Sequence, residues 1–172
     1  MASSPSLANS YSTRNNEGCP TEDNTLRIYN SQSFIGREQP FILNHLYIGE
    51  NIDELRFRAG SYSGYGEWRE KLAELAGYTP IQYNPQYKPP FLSACASAWN
   101  MTEGPFWELI NFSDCEGTLG TIVCRKLTLD FEKYQSKASQ IIDPHDRFIT
   151  RYNNWYEACK VAGDNNGCIQ FH

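Results

Sequence analysis

The run Asn111-Phe112-Ser113-Asp114-Cys115-Glu116-Gly117-Thr118 crowds two carboxylates, an amide, hydroxyls, a thiol and a glycine into one short stretch. Apolar Phe106 to Ile110 precedes it and a long helical pattern follows, so its polar groups lie close to a core and need partners. Ahead of a helix, Asp114 and Glu116 stand at the positive end of the helix dipole. That lowers a carboxylate pKa, which suits the pair to holding an amine, a guanidinium or sugar hydroxyls and weakens a general-acid role. Asn111 and Ser113 add donors beside them. Cys115 as a nucleophile needs a depressed pKa, and flanking acids work against it while a helix N-terminus helps. The three histidines, His45, His145 and His172, are all remote in sequence from it. The same residues also have a purely architectural account: Asp114 or Thr118 caps the following helix, and Glu116 pairs with Arg56, Arg58 or Arg69. After one cap and one ion pair, Asn111, Cys115 and Glu116 remain without a role.

A second polar stretch, Gly60-Ser61-Tyr62-Ser63-Gly64-Tyr65-Gly66, runs into a helical pattern with Trp68, Leu72 and Leu75 at helical spacing and Gly77 as its stop. Ser61 or Ser63 is placed to cap this helix, and glycine-rich backbone there presents N–H groups to an anion. The spacing is neither a phosphate-binding loop nor a dinucleotide fingerprint, and no Gly-x-Ser-x-Gly elbow is present. If both polar stretches open helices at one end of a sheet, they form a single cleft. Tyr62, Tyr65, Trp68 and Trp107 wall it, and Arg56, Arg58 or Arg69 supplies a cation. Metal-binding spacing is absent: Asp143, His145 and Asp146 have the composition of a helix start, and there is no Cys-x-x-Cys. Neither a metal nor a cofactor is expected.

These stretches have to be positioned by a chain of 172 residues, long enough for one core without staples. Residues 1–24 are polar and lack apolar periodicity, and read as a disordered or loosely docked tail before a single globular domain over 25–172. Leu26 to Tyr29 and Glu54 to Arg58 alternate apolar with polar or charged residues, as strands with one wet face do, and Phe41 to Ile48 is apolar enough for a central strand. Residues 78–90 are rich in proline and tyrosine and read as extended. Phe91 to Trp99 leans to a helix. Leu119, Val123, Leu127, Phe131, Tyr134 and Ala138 form one stripe, giving the longest helix near 119–140. Asp143-Pro144 opens a last helix, with Phe148, Tyr152, Trp155, Cys159 and Ala162 on its apolar face and a stop at Gly163. Cys168 to His172 is a candidate edge strand. The fold class is therefore α+β: a small, mainly antiparallel sheet from the N-terminal half, with about three helices packed on it.

Net charge is -5 and sequence-wide aromatic content is 14%. The charge argues against nucleic acid as the main partner, and the aromatic content fits either a recognition surface or an aromatic core. No stretch has the roughly 20 apolar residues of a membrane helix, and the amino-terminal residues lack a signal-peptide pattern. The expectation is a soluble, cytoplasmic protein with no membrane partner, in which the six cysteines are mostly free and buried. In that setting the sequons at Asn100 and Asn111 go unused. The function expected is non-catalytic recognition of a polar small molecule, a peptide or a partner protein at the 60–66 and 111–117 cleft. Two alternatives stand beside it. One is a small hydrolase or transferase using Asp114 and Glu116 with an arginine as stabiliser, and the other is a structural subunit of an assembly.

Overall fold

The structure is a computed structural model and describes residues 25–48, 57–83, 91–113, 115–142 and 147–171. The fold is α+β, with helices dominating. The tail over 1–24, Arg56, Asp114, the Asp143 to Asp146 helix start and His172 lie outside the described residues.

Three long helices form the body: α1 (Tyr62–Ala76), α4 (Thr121–Ala138) and α5 (Arg147–Asp164). All three sit where apolar periodicity places them. Ser61 Oγ accepts the Gly64 N–H at the start of α1, and Gly77 closes it in the left-handed region at φ 91°. On α4 Val123, Leu127, Phe131 and Ala138 of the expected stripe are buried, while Leu119 is buried in the strand before the helix. On α5 Phe148, Tyr152, Trp155, Cys159 and Ala162 are buried as the spacing requires, and the helix runs one residue past Gly163. Two short helices, α2 (Ala94–Trp99) and α3 (Trp107–Ile110), pack beside α1.

The strands are where the structure departs from the sequence reading. Among the described residues the strands form three separate antiparallel pairs rather than one sheet. These are β1 (Thr25–Arg27) with β2 (Leu46–Ile48), β3 (Ile81–Tyr83) with β4 (Phe91–Ser93), and β5 (Gly117–Leu119) with β6 (Ile169–Phe171). The central strand expected over Phe41 to Ile48 survives only as β2. Asn44 takes a left-handed φ of 63° and donates to Ile28 O, which folds Phe41 to His45 into turns. Phe41 then packs with Leu26, Ile28 and Cys168 in a small second core. Arg58 is exposed and belongs to no strand, and Phe57 meets Trp155 edge-on. The Phe91 to Trp99 segment is part strand and part helix, β4 running directly into α2. The expected C-terminal edge strand is β6, fully buried and paired with β5.

The main core is aromatic. Stacked and tilted rings run from Tyr65 to Trp68, Trp155, Phe171, Phe112 and Phe34 at centroid separations of 5.8, 6.1, 5.3, 4.9 and 4.6 Å. This chain of rings links α1, α5, β6 and the turn after α3, and it absorbs much of the aromatic content. Cys95, Cys124, Cys159 and Cys168 are free and buried, while Cys115 is free and exposed.

Candidate functional site

The 111–118 run does not open a helix. It leads into β5, and α4 starts only at Thr121 behind the N-cap residue Gly120, which has no side chain to cap with. Backbone carbonyls from an earlier loop take that place: Gly120 N–H donates to Arg37 O at 2.7 Å and Ile122 N–H to Gln39 O at 3.3 Å. Thr118 is therefore no cap. Its N–H donates to Asn30 Oδ1 at 2.7 Å, its hydroxyl to Tyr29 O at 3.1 Å, and its carbonyl accepts from Asn30 Nδ2 at 3.0 Å.

Ser113 holds the turn, its Oγ accepting the N–H groups of Cys115 at 3.3 Å and Glu116 at 3.1 Å, with Cys115 Sγ 3.4 Å away. Cys115 and Glu116 are exposed, and Asn111 is half-buried. Burial first, and then the charges of Glu116 and Cys115, push the Tyr29 phenol upward, partly offset by its hydrogen bond with the Gly117 backbone. The run is thus a socket for residues 29–38. Asn30 also donates to Glu38, whose buried carboxylate accepts the Gly36 N–H at 3.0 and 3.1 Å. Arg37, 5% exposed, lays its guanidinium over Trp107 at 4.5 Å and Phe34 at 5.2 Å, and burial lowers its pKa against the pull of Glu108. None of Tyr29, Asn30 and Arg37 stands out in the sequence, because each meets a partner far along the chain, Thr118 for the first two and Trp107 for Arg37.

In the 60–66 stretch, Ser61 and Ser63 hydroxyls lie 3.3 Å apart and Ser61 accepts from Gly64, while Tyr62 is exposed and Tyr65 buried. The cation at this turn is Arg151, absent from the sequence reading, which donates to Gly64 O at 2.6 Å. The two polar stretches communicate through Arg69. Its guanidinium lies 4.7 Å from the Tyr65 ring centroid and donates to Phe112 O at 2.8 Å. Tyr65, Arg69 and the backbone after α3 therefore come together. Ser61 and Ser63 bond within their own turn, and Ser113 within the other. Trp107, expected as a cleft wall, packs on Arg37 and donates its indole N–H to Ala98 O at 3.0 Å.

Carboxylates do meet a cation, at a place the sequence reading missed. Lys126 Nζ contacts Asp130 at 2.9 Å, Glu108, and Gly104 O at 2.5 Å, and Asp130 accepts the Phe106 N–H at 2.8 Å. These bonds pin Phe106, which has a φ of 55°, at the start of α3. The i, i+4 spacing of Lys126 and Asp130 on α4 was the available signal.

Concave surfaces of ligand-sized dimensions lie elsewhere, among them one of about 740 Å³ along α4 and α5 bordered by Glu132, Tyr156 and Val161. A groove of about 560 Å³ runs between α1 and the β3–β4 hairpin with α2. Gly66, Glu67, Arg69, Glu70, Lys71 and Glu74 line one side, and Tyr83, Phe91, Ser93, Cys95 and Trp99 the other. Glu70 crosses it to accept Ser93 Oγ at 2.8 Å and the Ala94 N–H, holding α2 against α1. Burial, and secondarily the Glu70 charge, pushes the Cys95 thiol up to about 12, so it stays protonated and serves as packing. In its lining Tyr83, Phe91 and Trp99 are 47, 56 and 40% exposed.

Among the described residues no group of His, Cys, Asp and Glu is arranged to hold a metal, and no helix is long and apolar enough to cross a membrane. Comparison with protein-family models, with curated proteins and with solved structures finds no match to this chain.

Proposed function

We propose that this protein is a non-catalytic binding protein that takes an extended segment of a partner protein into the groove between α1 and the β3–β4 hairpin. The observation that carries the reading is the set of large aromatic side chains left in water there: Tyr83 and Phe91, paired across the two strands, and Trp99 at the end of α2, which meets Tyr83. Scattered exposed hydrophobics are ordinary, but a contiguous set rimmed by polar groups marks an interaction surface. Aromatic residues are also among the types enriched in interface centres. A groove lined by a hairpin whose strands pair only with each other among the described residues accepts extended chain, with side-chain pockets reading alternate residues. The expectation of non-catalytic recognition is kept, narrowed to an extended protein segment, and the place proposed differs, since Thr118 is engaged by Tyr29 and Asn30 and Ser113 bonds within its own turn.

Panning the full chain against a phage-displayed random dodecapeptide library tests this. The expected result is a set of peptides whose binding falls at least ten-fold in Trp99→Ser and is unchanged in Tyr62→Ser, an exposed aromatic off the groove. Recovery of no peptide, or of peptides indifferent to Trp99→Ser and to Tyr83→Ser, overturns the proposal.

A further inference from the structure

We infer that the groove reads a positively charged side chain, lysine or arginine, in the peptide it binds; this rests on the groove being the docking site. Tyr83 and Phe91 are direct partners in the β3–β4 register, so their side chains leave the same face of the hairpin. Trp99 meets Tyr83 edge-to-face at 5.1 Å and 76°. Tyr83, Phe91 and Trp99 stay partly in water beside that contact, and the negative face of an aromatic ring attracts a cation.

The charges on the opposite wall point the same way. Glu67, Glu70 and Glu74 stand against Arg69 and Lys71, an excess of carboxylate. Arg69 is turned onto the Tyr65 ring and the Phe112 carbonyl, and Glu70 is occupied by Ser93 and Ala94. Glu67 and Glu74 are exposed and two helical turns apart, and with Lys71 between them on the same face of α1 they leave one carboxylate in excess toward an incoming group. A cationic side chain gains from both walls at once. A neutral one gains only apolar contact, and an acidic one is repelled.

The library selection supplies the test. Expected is a several-fold enrichment of Lys and Arg at one aligned position of the selected peptides. Replacing that residue by norleucine, or binding to the double variant Glu67→Gln, Glu74→Gln, then weakens affinity about five- to ten-fold, and raising the salt concentration erases most of the difference. Both glutamates are exposed, and an unchanged melting temperature of the double variant shows that it is folded. Peptides that depend on Trp99 yet show no basic preference and bind the double variant equally well overturn this inference and leave the groove reading standing. Absence of Trp99-dependent peptides removes both. A Trp99-dependent dimer of the protein alone, seen by sedimentation, also overturns the inference, because the groove is then filled by a second copy.

Discussion

Single positions show how closely the loop before β2 is fitted to the start of α4. A Cβ on Gly120 would stand 2.1 Å from Glu38 O and 2.2 Å from Gln39 O, both backbone atoms that cannot step aside. Gly66, inside α1, would meet nothing within 4 Å. Gly120→Ala is therefore expected to cost about 3 kcal/mol or more. Gly66→Ala is expected to add roughly 0.5 to 1 kcal/mol, because alanine holds helix better than glycine. Urea unfolding of the two variants reads both signs. The contrast also marks what a sequence can say about a residue. Ser61 as a cap was legible, since its partner Gly64 is three residues away. Gly120 was not, since the atoms that exclude a side chain belong to residues 38 and 39. The same separation hid that Thr118, read as a possible cap, is the partner of Asn30 and Tyr29.

Among elements, α1, α4 and α5 were legible because each is long enough for its apolar stripe to repeat. The strands are three residues each, too short for alternation to register, and β5 is buried at every position. Their pairing partners are set by packing, which no local pattern encodes. The groove escaped the sequence reading for a related reason: one wall comes from α1 and the other from a hairpin and helix at residues 81–99. What joins those walls is Glu70, an α1 carboxylate that accepts from the first residues of α2 and from Ser93. Glu70→Ala is expected to lower stability by about 2 kcal/mol, the scale for losing hydrogen bonds to a charged group. It is also expected to loosen α2, seen as faster amide exchange at Ala94 to Ala96.

For the whole molecule, buried phenols set the alkaline limit. Burial, followed by the charges of Asp130 and Glu108, pushes the Tyr78 phenol up to about 12, and its hydroxyl donates to Pro105 O at 3.0 Å. Tyr152 is shifted the same way by burial and Asp130, and donates to Phe131 O at 2.6 Å. A phenol with a folded pKa above its unfolded value near 10 holds its proton more tightly when folded. Its contribution to stability is thus complete below pH 10 and lost as the pH rises toward 12. Stability is expected to fall across that window. Tyr78→Phe should flatten the fall while costing about 1 kcal/mol at neutral pH through the lost hydrogen bond. Urea titrations at half-unit steps from pH 8 to 12 check both parts.

Strand β5 also has a consequence for the order in which the fold assembles. It is met from one side by Asn30, 88 residues upstream of its partner Thr118, and from the other by β6. The two flanking segments meet each other as well, through Tyr29 with Phe171 across 142 residues and Gln170 with Arg27 across 143. Contacts of such separation return nothing until the intervening chain is already compact, so the helices are expected to collapse first and the two distant segments to clasp β5 late. A late clasp acts on the rate of leaving the native state and hardly on the rate of reaching it. Asn30→Ala is accordingly expected to speed unfolding roughly ten-fold while moving the refolding limb of a chevron plot by less than about two-fold. In that sense the polar run at 111–118 governs how long the protein stays folded.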